Sequence, residues 1–323
     1  MKKVLVTGVA GFIANRVAQL LLADGVQVVG LDNMNDYYDP RLKEWRLSTL
    51  TDHPNFQFFN INIEDQKALK DLFDAHSFDV VFNLAARAGV RYSMENPHVY
   101  MSTNAQGSLN LLEEMRRTDV KKFVLASTSS LYAGLEMPFK EDLAVNTPIS
   151  PYAASKKAAE VMAYTYNYLY GIDVSIVRYF TVFGPASRPD MAIFRFIEWI
   201  DRGEPIQLFG DGAQSRDFTY VDDIARGTIL AGKHLDYQVI NLGGGKNPIA
   251  VTRVINAIET GLGKHARLNI QSSNKADMKE TWADITKAEA LLGWKPEVDF
   301  QTGIERAIEW HTKNRNWLNS IRL

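Results

Sequence analysis

Val4-Leu5-Val6-Thr7-Gly8-Val9-Ala10-Gly11-Phe12-Ile13-Ala14 is the stretch whose reading decides the fold. Its apolar start reads as a buried strand that turns tightly into a helix running to about Ala23. Asp24-Gly25 stops that helix, and Val26-Gln27-Val28-Val29-Gly30-Leu31 forms a second strand with Asp32 at its C-terminal end. The product is a βαβ unit. Glycines at 8 and 11 let backbone come close to a pyrophosphate, whose charge is met by the amides and dipole of the helix start at Phe12 and Ile13. Asp32 can accept hydrogen bonds from both ribose hydroxyls and would repel a 2′-phosphate, which favours NAD over NADP.

Outward from this unit, strands follow at Phe56-Gln57-Phe58-Phe59, Val80-Val81-Phe82-Asn83, Phe123-Val124-Leu125-Ala126 and Val174-Ser175-Ile176-Val177-Arg178. Helical stretches such as Asp65 to Ala75 and Tyr100 to Arg117 alternate with them. Such alternation specifies an α/β protein with a Rossmann-type, doubly wound parallel sheet. Ligands of such sheets bind beyond the strand C-termini, so Asn62-Ile63, the segment after Leu84 and the segment after Ala126 point into one crevice. Thr128-Ser129-Ser130 either face it or cap their own backbone. Residues 1–180 are expected to form the NAD-binding domain, with return segments near 216–245. Residues 181–323 form mainly a smaller α/β substrate lobe, with a helix at Phe194 to Asp201 and strands at Gln207-Leu208-Phe209 and Arg216 to Tyr220. The run Gly243-Gly244-Gly245-Lys246 lacks the first glycine and the Ser/Thr of a phosphate loop, and reads as a plain turn after the strand Val239-Ile240-Asn241-Leu242.

A second decisive stretch is Ser150-Pro151-Tyr152-Ala153-Ala154-Ser155-Lys156. Proline suits a first helical position and Ser150 can cap the amides before it, so Tyr152 falls in the first turn. Four-residue spacing puts Lys156 on the same face. An adjacent ammonium and the positive helix end both favour the phenolate of Tyr152, which can then move a hydroxyl proton.

Composition narrows the field. The chain has 323 residues, 46% hydrophobic content and a formal net charge of -2, without a long basic run. That suits a globular protein with a sizeable core and argues against nucleic acid or an anionic membrane as the main partner. Without cysteine there is no disulfide, thiol catalysis or thiolate-bound metal, and the six histidines have no paired ligand spacing, so no metal is expected. The apolar stretch at the N-terminus is too short for a signal peptide and no stretch is long enough to span a membrane, which makes the cytoplasm the expected location.

Gly8-x-x-Gly11-x-x-Ala14, Asp32, Asn83-Leu84-Ala85-Ala86, Thr128 and Tyr152-x-x-x-Lys156 together resemble the extended short-chain dehydrogenases that act on sugar nucleotides. Leu31 to Asp39, Ala88 to Pro97, Arg178 to Pro185 and Arg188 to Ala192 are similar to the UDP-glucuronate 4-epimerases within that superfamily. The resemblance implies a resident NAD and a UDP-sugar substrate. Hydride leaves carbon 4 while Tyr152, assisted by Lys156 and Thr128, takes the hydroxyl proton; the 4-keto sugar turns over, and hydride returns to the opposite face. It adds Asn33, Asn62, Ile63, Leu84, Ala85, Ala86 and Tyr179 to the cofactor contacts. A 4-keto uronate is a β-keto acid that can lose carbon dioxide, and Ser129, Ser130 and Thr181, with Arg188 nearby, are implied to clamp its carboxylate. Arg91 is implied to contact substrate, Arg216 the diphosphate and Asp277 the nucleotide ribose. A homodimer through the helices at Tyr100–Arg117 and Tyr152–Tyr170 is implied as well.

The chain also departs from the family. Ala14 replaces a third glycine, Asn62 an aspartate and Arg87 a glutamine or histidine; Leu131-Tyr132-Ala133-Gly134 has one residue more than the common Val-Tyr-Gly; and Lys275-Ala276-Asp277 stands for Pro-Gly-Asp. Related decarboxylases and dehydratases carry an acid close after the catalytic threonine, where this chain has Ser129-Ser130, which favours epimerisation. The alternatives are a 4-epimerase for a neutral sugar such as UDP-glucose or UDP-N-acetylglucosamine, a UDP-glucuronate decarboxylase, or a non-catalytic NAD-binding sensor.

Overall fold

The computed structural model describes residues 1–246, 248–272 and 279–321. Strands β1 (Lys3–Thr7), β2 (Gln27–Asp32), β3 (Phe56–Asn60), β4 (Val80–Asn83), β5 (Lys122–Thr128) and β6 (Asp173–Tyr179) alternate with helices, as the sequence predicts. After them come β7 (Thr181–Phe183), β8 (Pro205–Phe209), β9 (Ser215–Arg216), β10 (Phe218–Tyr220), β11 (Tyr237–Leu242), β12 (Ile249–Ala250) and β13 (Arg267–Gln271). A seven-stranded parallel sheet runs in the order β11-β6-β5-β4-β1-β2-β3, so a strand from the second half of the chain completes it. Order reverses between β1 and β4, and a crevice opens there at the strand C-termini.

The strands read as unbroken apolar runs because both faces are covered. Val4 and Val6 of β1, Val124 of β5 and Val177 of β6 pack on one side with Val17, Leu21 and Ile224. Their neighbours Leu5, Leu125 and Ile176 pack on the other with Leu69, Leu111 and Met115. Among the described residues no helix is long and apolar enough to cross a membrane.

Two expectations are corrected. The stretch read as one helix from Tyr100 to Arg117 is a short helix at Pro97–Tyr100, a widened turn at Met101–Gln106 and a helix at Gly107–Thr118. The strand expected from Arg216 to Tyr220 is two strands, because Asp217 turns inward between them. Its Oδ2 accepts from the amides of Ala283 (2.8 Å) and Gly245 (3.3 Å). A side chain on Gly244 would reach 2.1 Å from Asp217 Oδ1, so the glycine run wraps the chain's own carboxylate. Small paired strands, β7 with β10, β9 with β12 and β8 with β13, build the rest of the second half.

Candidate active site

A cavity of about 440 Å³ lies at the crevice. Its cofactor side is shaped by one hydroxyl. Thr7 Oγ1 donates to Asn83 Oδ1 (2.8 Å) and accepts from the Ala85 amide (2.9 Å), which draws the segment after β4 across β1. Gly8 is required there: its φ is +70°, and a Cβ would lie 2.8 Å from Ala85 Cα. The helix Phe12–Ala23 begins after Gly11 without a capping side chain, so its first amides are left to a ligand, as a pyrophosphate site needs.

Asp32 is buried at the end of β2, its Oδ1 accepting from the Met34 amide (2.9 Å) and its Oδ2 from that of Ala10 (3.2 Å). Asn33, Asn62, Ile63, Leu84, Ala85, Ala86 and Tyr179 also line the cavity. The Asn62 oxygen already accepts from the Glu64 amide (3.2 Å), and the Tyr179 hydroxyl turns away to Thr228 (2.7 Å). This set of amides, carboxylate and apolar wall fits NAD.

The reactive side rests on the helix Pro151–Tyr170, which Ser150 caps by accepting from the Ala153 amide (3.2 Å). Tyr152 is in its first turn, hydrogen-bonded to Thr128. Lys156, one turn on and 4% exposed, donates to the Ala126 carbonyl (2.9 Å). Burial brings its ammonium down to about 8, against the pull of Glu160. Burial also pushes the Tyr152 phenol up, with Thr128 and Arg188 lowering it in part. Desolvation is therefore the largest influence on the phenol, and the Lys156 ammonium expected to favour the phenolate is engaged by a carbonyl.

Ser129, Ser130 and Thr181 lie on the cavity wall together with Arg188, which pairs with Asp190 at 2.6 Å. Arg216 lines the same wall, and Arg91 stacks 4.0 Å over the Phe209 ring outside it. Asp277 lies outside the described residues. The sequence reading left out Tyr37, Tyr38 and Lys43, and gave Arg87 no role; all four line the cavity. The motif Leu31 to Asp39 contains the two tyrosines, but nothing in the local pattern marks Lys43. Among the described residues no group of three acidic or histidine side chains could hold a metal.

The pattern of the NAD dependent epimerase/dehydratase family matches residues 4–243. A UDP-glucuronate 4-epimerase of Thermodesulfobacterium geofontis is 56% identical over 319 residues, 99% of each chain. The structure of a UDP-glucuronic acid 4-epimerase from Bacillus cereus, in complex with UDP-glucuronic acid and NAD, superposes with a TM-score of 0.90 at 37% identity, covering 96% of this chain and 99% of that one. A UDP-glucose 4-epimerase from Thermotoga maritima, with UDP-glucose, also gives 0.90, at 32% identity and 97% and 99% coverage.

Proposed function

The chain belongs to the NAD dependent epimerase/dehydratase family, and from that premise we propose that it inverts carbon 4 of a UDP-hexuronic acid, interconverting UDP-glucuronate and UDP-galacturonate without decarboxylation. What carries this reading is one cavity wall on which Thr128, Tyr152 and Lys156 lie with Ser129, Ser130, Thr181 and Arg188. Backbone shape alone does not separate a uronate from a neutral hexose, since relatives acting on each superpose equally well. The 56% identity to a UDP-glucuronate 4-epimerase favours the uronate.

In this reading the Gly8–Ile13 turn, Asp32, Asn33, Asn62, Ile63, Leu84 to Ala86, Tyr179 and the Tyr152–Lys156 pair hold NAD. Bound NAD supplies the hydride-accepting ring, whose positive charge when oxidised favours the phenolate. Tyr152 moves the proton of the carbon 4 hydroxyl, Thr128 orients it by hydrogen bond, and Lys156 adds positive charge one turn below. Ser129, Ser130 and Thr181 hold the carboxylate out of the alignment that releases carbon dioxide, and Arg188 restrains the sugar. Arg216 meets the diphosphate with a forked guanidinium, Arg91 contacts the substrate and Asp277 serves the nucleotide ribose. Residues 1–180 then act as the cofactor domain, with 181–323 mainly the substrate lobe. Exposed Val161, Tyr164 and Tyr168 form an apolar stripe on the helix Pro151–Tyr170 that suits a homodimer working in the cytoplasm.

Proton NMR of the purified protein with UDP-glucuronate tests the reading. UDP-galacturonate without UDP-pentose supports it, and UDP-pentose would make the chain a decarboxylase. No change with NAD added would favour a neutral hexose or a sensor.

A further inference from the structure

The turn Arg188-Pro189-Asp190-Met191 brings two opposite charges together at the cavity wall. The Arg188 carbonyl accepts from the Met191 amide (3.1 Å), and Pro189 has the fixed φ that suits the second position of such a turn. Arg188 and Asp190 then meet as a fork: Nε donates to Oδ1 (2.9 Å) and Nη2 to Oδ2 (2.6 Å). Both flanks of the turn are tied. Arg46 donates to the carbonyls of Ala186 (2.9 Å) and Ser187 (3.1 Å) just before it, and Arg195 Nε donates to the Pro189 carbonyl (3.2 Å). Desolvation works against the Arg188 guanidinium, yet Asp190 beside it, with Tyr37 and Tyr152 nearby, keeps it above its ordinary value. Arg188 in turn lowers the Tyr152 phenol in part, so it lies within electrostatic reach of the proposed proton carrier.

A guanidinium on this wall is the group a substrate carboxylate would grip most strongly. In the reaction proposed above, that grip is a hindrance. Between the two hydride transfers the 4-keto sugar turns over, so its carboxylate must leave one set of partners for another. Ser129, Ser130 and Thr181 are neutral donors on the same wall, and charge-assisted hydrogen bonds are roughly twice as strong as theirs. We propose that Asp190 is a positioning residue that keeps Arg188 occupied, so that hydroxyls alone hold the uronate carboxylate and the keto intermediate is free to turn. The proposal rests on the epimerase reading above. A grip that substrate and intermediate share tightens binding without speeding the reaction, and one that must break midway slows it.

The test is the kinetics of UDP-glucuronate turnover, at saturating NAD, by the wild-type protein, Asp190→Asn and the double variant Arg188→Gln/Asp190→Asn, with UDP-glucose as a competitor. Asparagine keeps the size of the side chain and removes its charge. The two side chains are 22% and 26% exposed, so Arg188 stays within reach of water, and circular dichroism checks the fold. Asp190→Asn is expected to lower KM for UDP-glucuronate about threefold or more and kcat about tenfold or more. UDP-glucose has no carboxylate, and its inhibition constant should stay within about twofold. Mere loosening of the site would instead raise both constants. In the double variant no guanidinium is left to grip, and KM should return to the wild-type value or above. A KM that is unchanged or raised in Asp190→Asn, a kcat that holds within about twofold, or tighter binding that UDP-glucose shares or that survives in the double variant overturns the proposal. If Asp190→Asn does not fold, Asp190→Ser carries the same comparison. Wild-type protein that leaves UDP-glucuronate unchanged overturns the epimerase reading, and the proposal with it.

Discussion

Two buried charge layers back the same cavity, and they are built in opposite ways. Beneath Lys156, Glu160 accepts from Arg178 Nε (2.9 Å) and Nη2 (2.8 Å) and from Ser127 Oγ (2.6 Å). Arg178 also donates to the Tyr132 hydroxyl (2.8 Å), which donates to Asn241 (2.8 Å), so this layer is paired, saturated and close to neutral. Beneath the nucleotide rim, Arg46 meets only neutral acceptors and Lys43 keeps a long approach to Asp32. A tightly paired layer contributes shape; a loosely paired one contributes field. In the proposed reading the first holds groups that must keep their distance through a reaction, and the second lies beside the anionic cofactor.

The sharpest test of this division falls on the residue above the paired layer. Tyr152→Phe removes the proposed proton carrier and is expected to lower turnover by about 10²–10⁴-fold, with UDP-glucuronate binding retained in calorimetry. Next is the pair itself. Glu160→Ala leaves the Arg178 guanidinium buried and uncompensated, so urea unfolding should show a loss of about 3–5 kcal/mol. Lys43→Met should lower NAD affinity by about tenfold while changing the unfolding midpoint less than Glu160→Ala does, because its ion pair with Asp32 is long, at 3.9 Å, and makes no hydrogen bond.

That effect has a pH signature of definite sign. Burial holds Lys43 down to about 8, Asp32 and Asp36 pulling upward and Arg87 and Arg46 pushing further down. The ammonium is charged below that pH and neutral above it. NAD affinity should therefore fall as pH rises through about 8, and in Lys43→Met this inflection should shrink to the part left by Lys156, which burial also brings down to about 8. The smallest effect is Ser129→Ala, which removes one hydrogen bond of about 1 kcal/mol from the proposed carboxylate clamp. A trace of UDP-pentose among its products, seen by NMR, is the expected result.

What the sequence made legible divides along the same line. β1, the Gly8–Gly11 turn, β2 with Asp32, and the Tyr152 helix with its Ser150 cap are written in contiguous residues, and all form as read. Lys43 and Arg46 are illegible because they lie on a largely polar helix, and the Arg46 guanidinium finds its acceptors at Ala186 and Ser187, about 140 residues on. Asp217 shows the same limit. Within Arg216 to Tyr220 it reads as one polar strand position, yet amides from Gly245 and Ala283 draw it inward, split the strand and leave its carboxyl pushed by burial up to about 6. The widened turn at Met101–Gln106 keeps helical spacing in the sequence, and its Asn104 finds purpose only against Arg87 and Ser155.

The most direct measurement sets two variants side by side: NAD dissociation constants and urea unfolding curves for Lys43→Met and Glu160→Gln. The division between field and shape predicts that Lys43→Met weakens NAD with its stability nearly intact, whereas Glu160→Gln lowers stability with NAD affinity nearly intact. If Glu160→Gln weakened NAD as much as Lys43→Met, or Lys43→Met destabilised the fold as much as Glu160→Gln, the two layers would not have separate tasks.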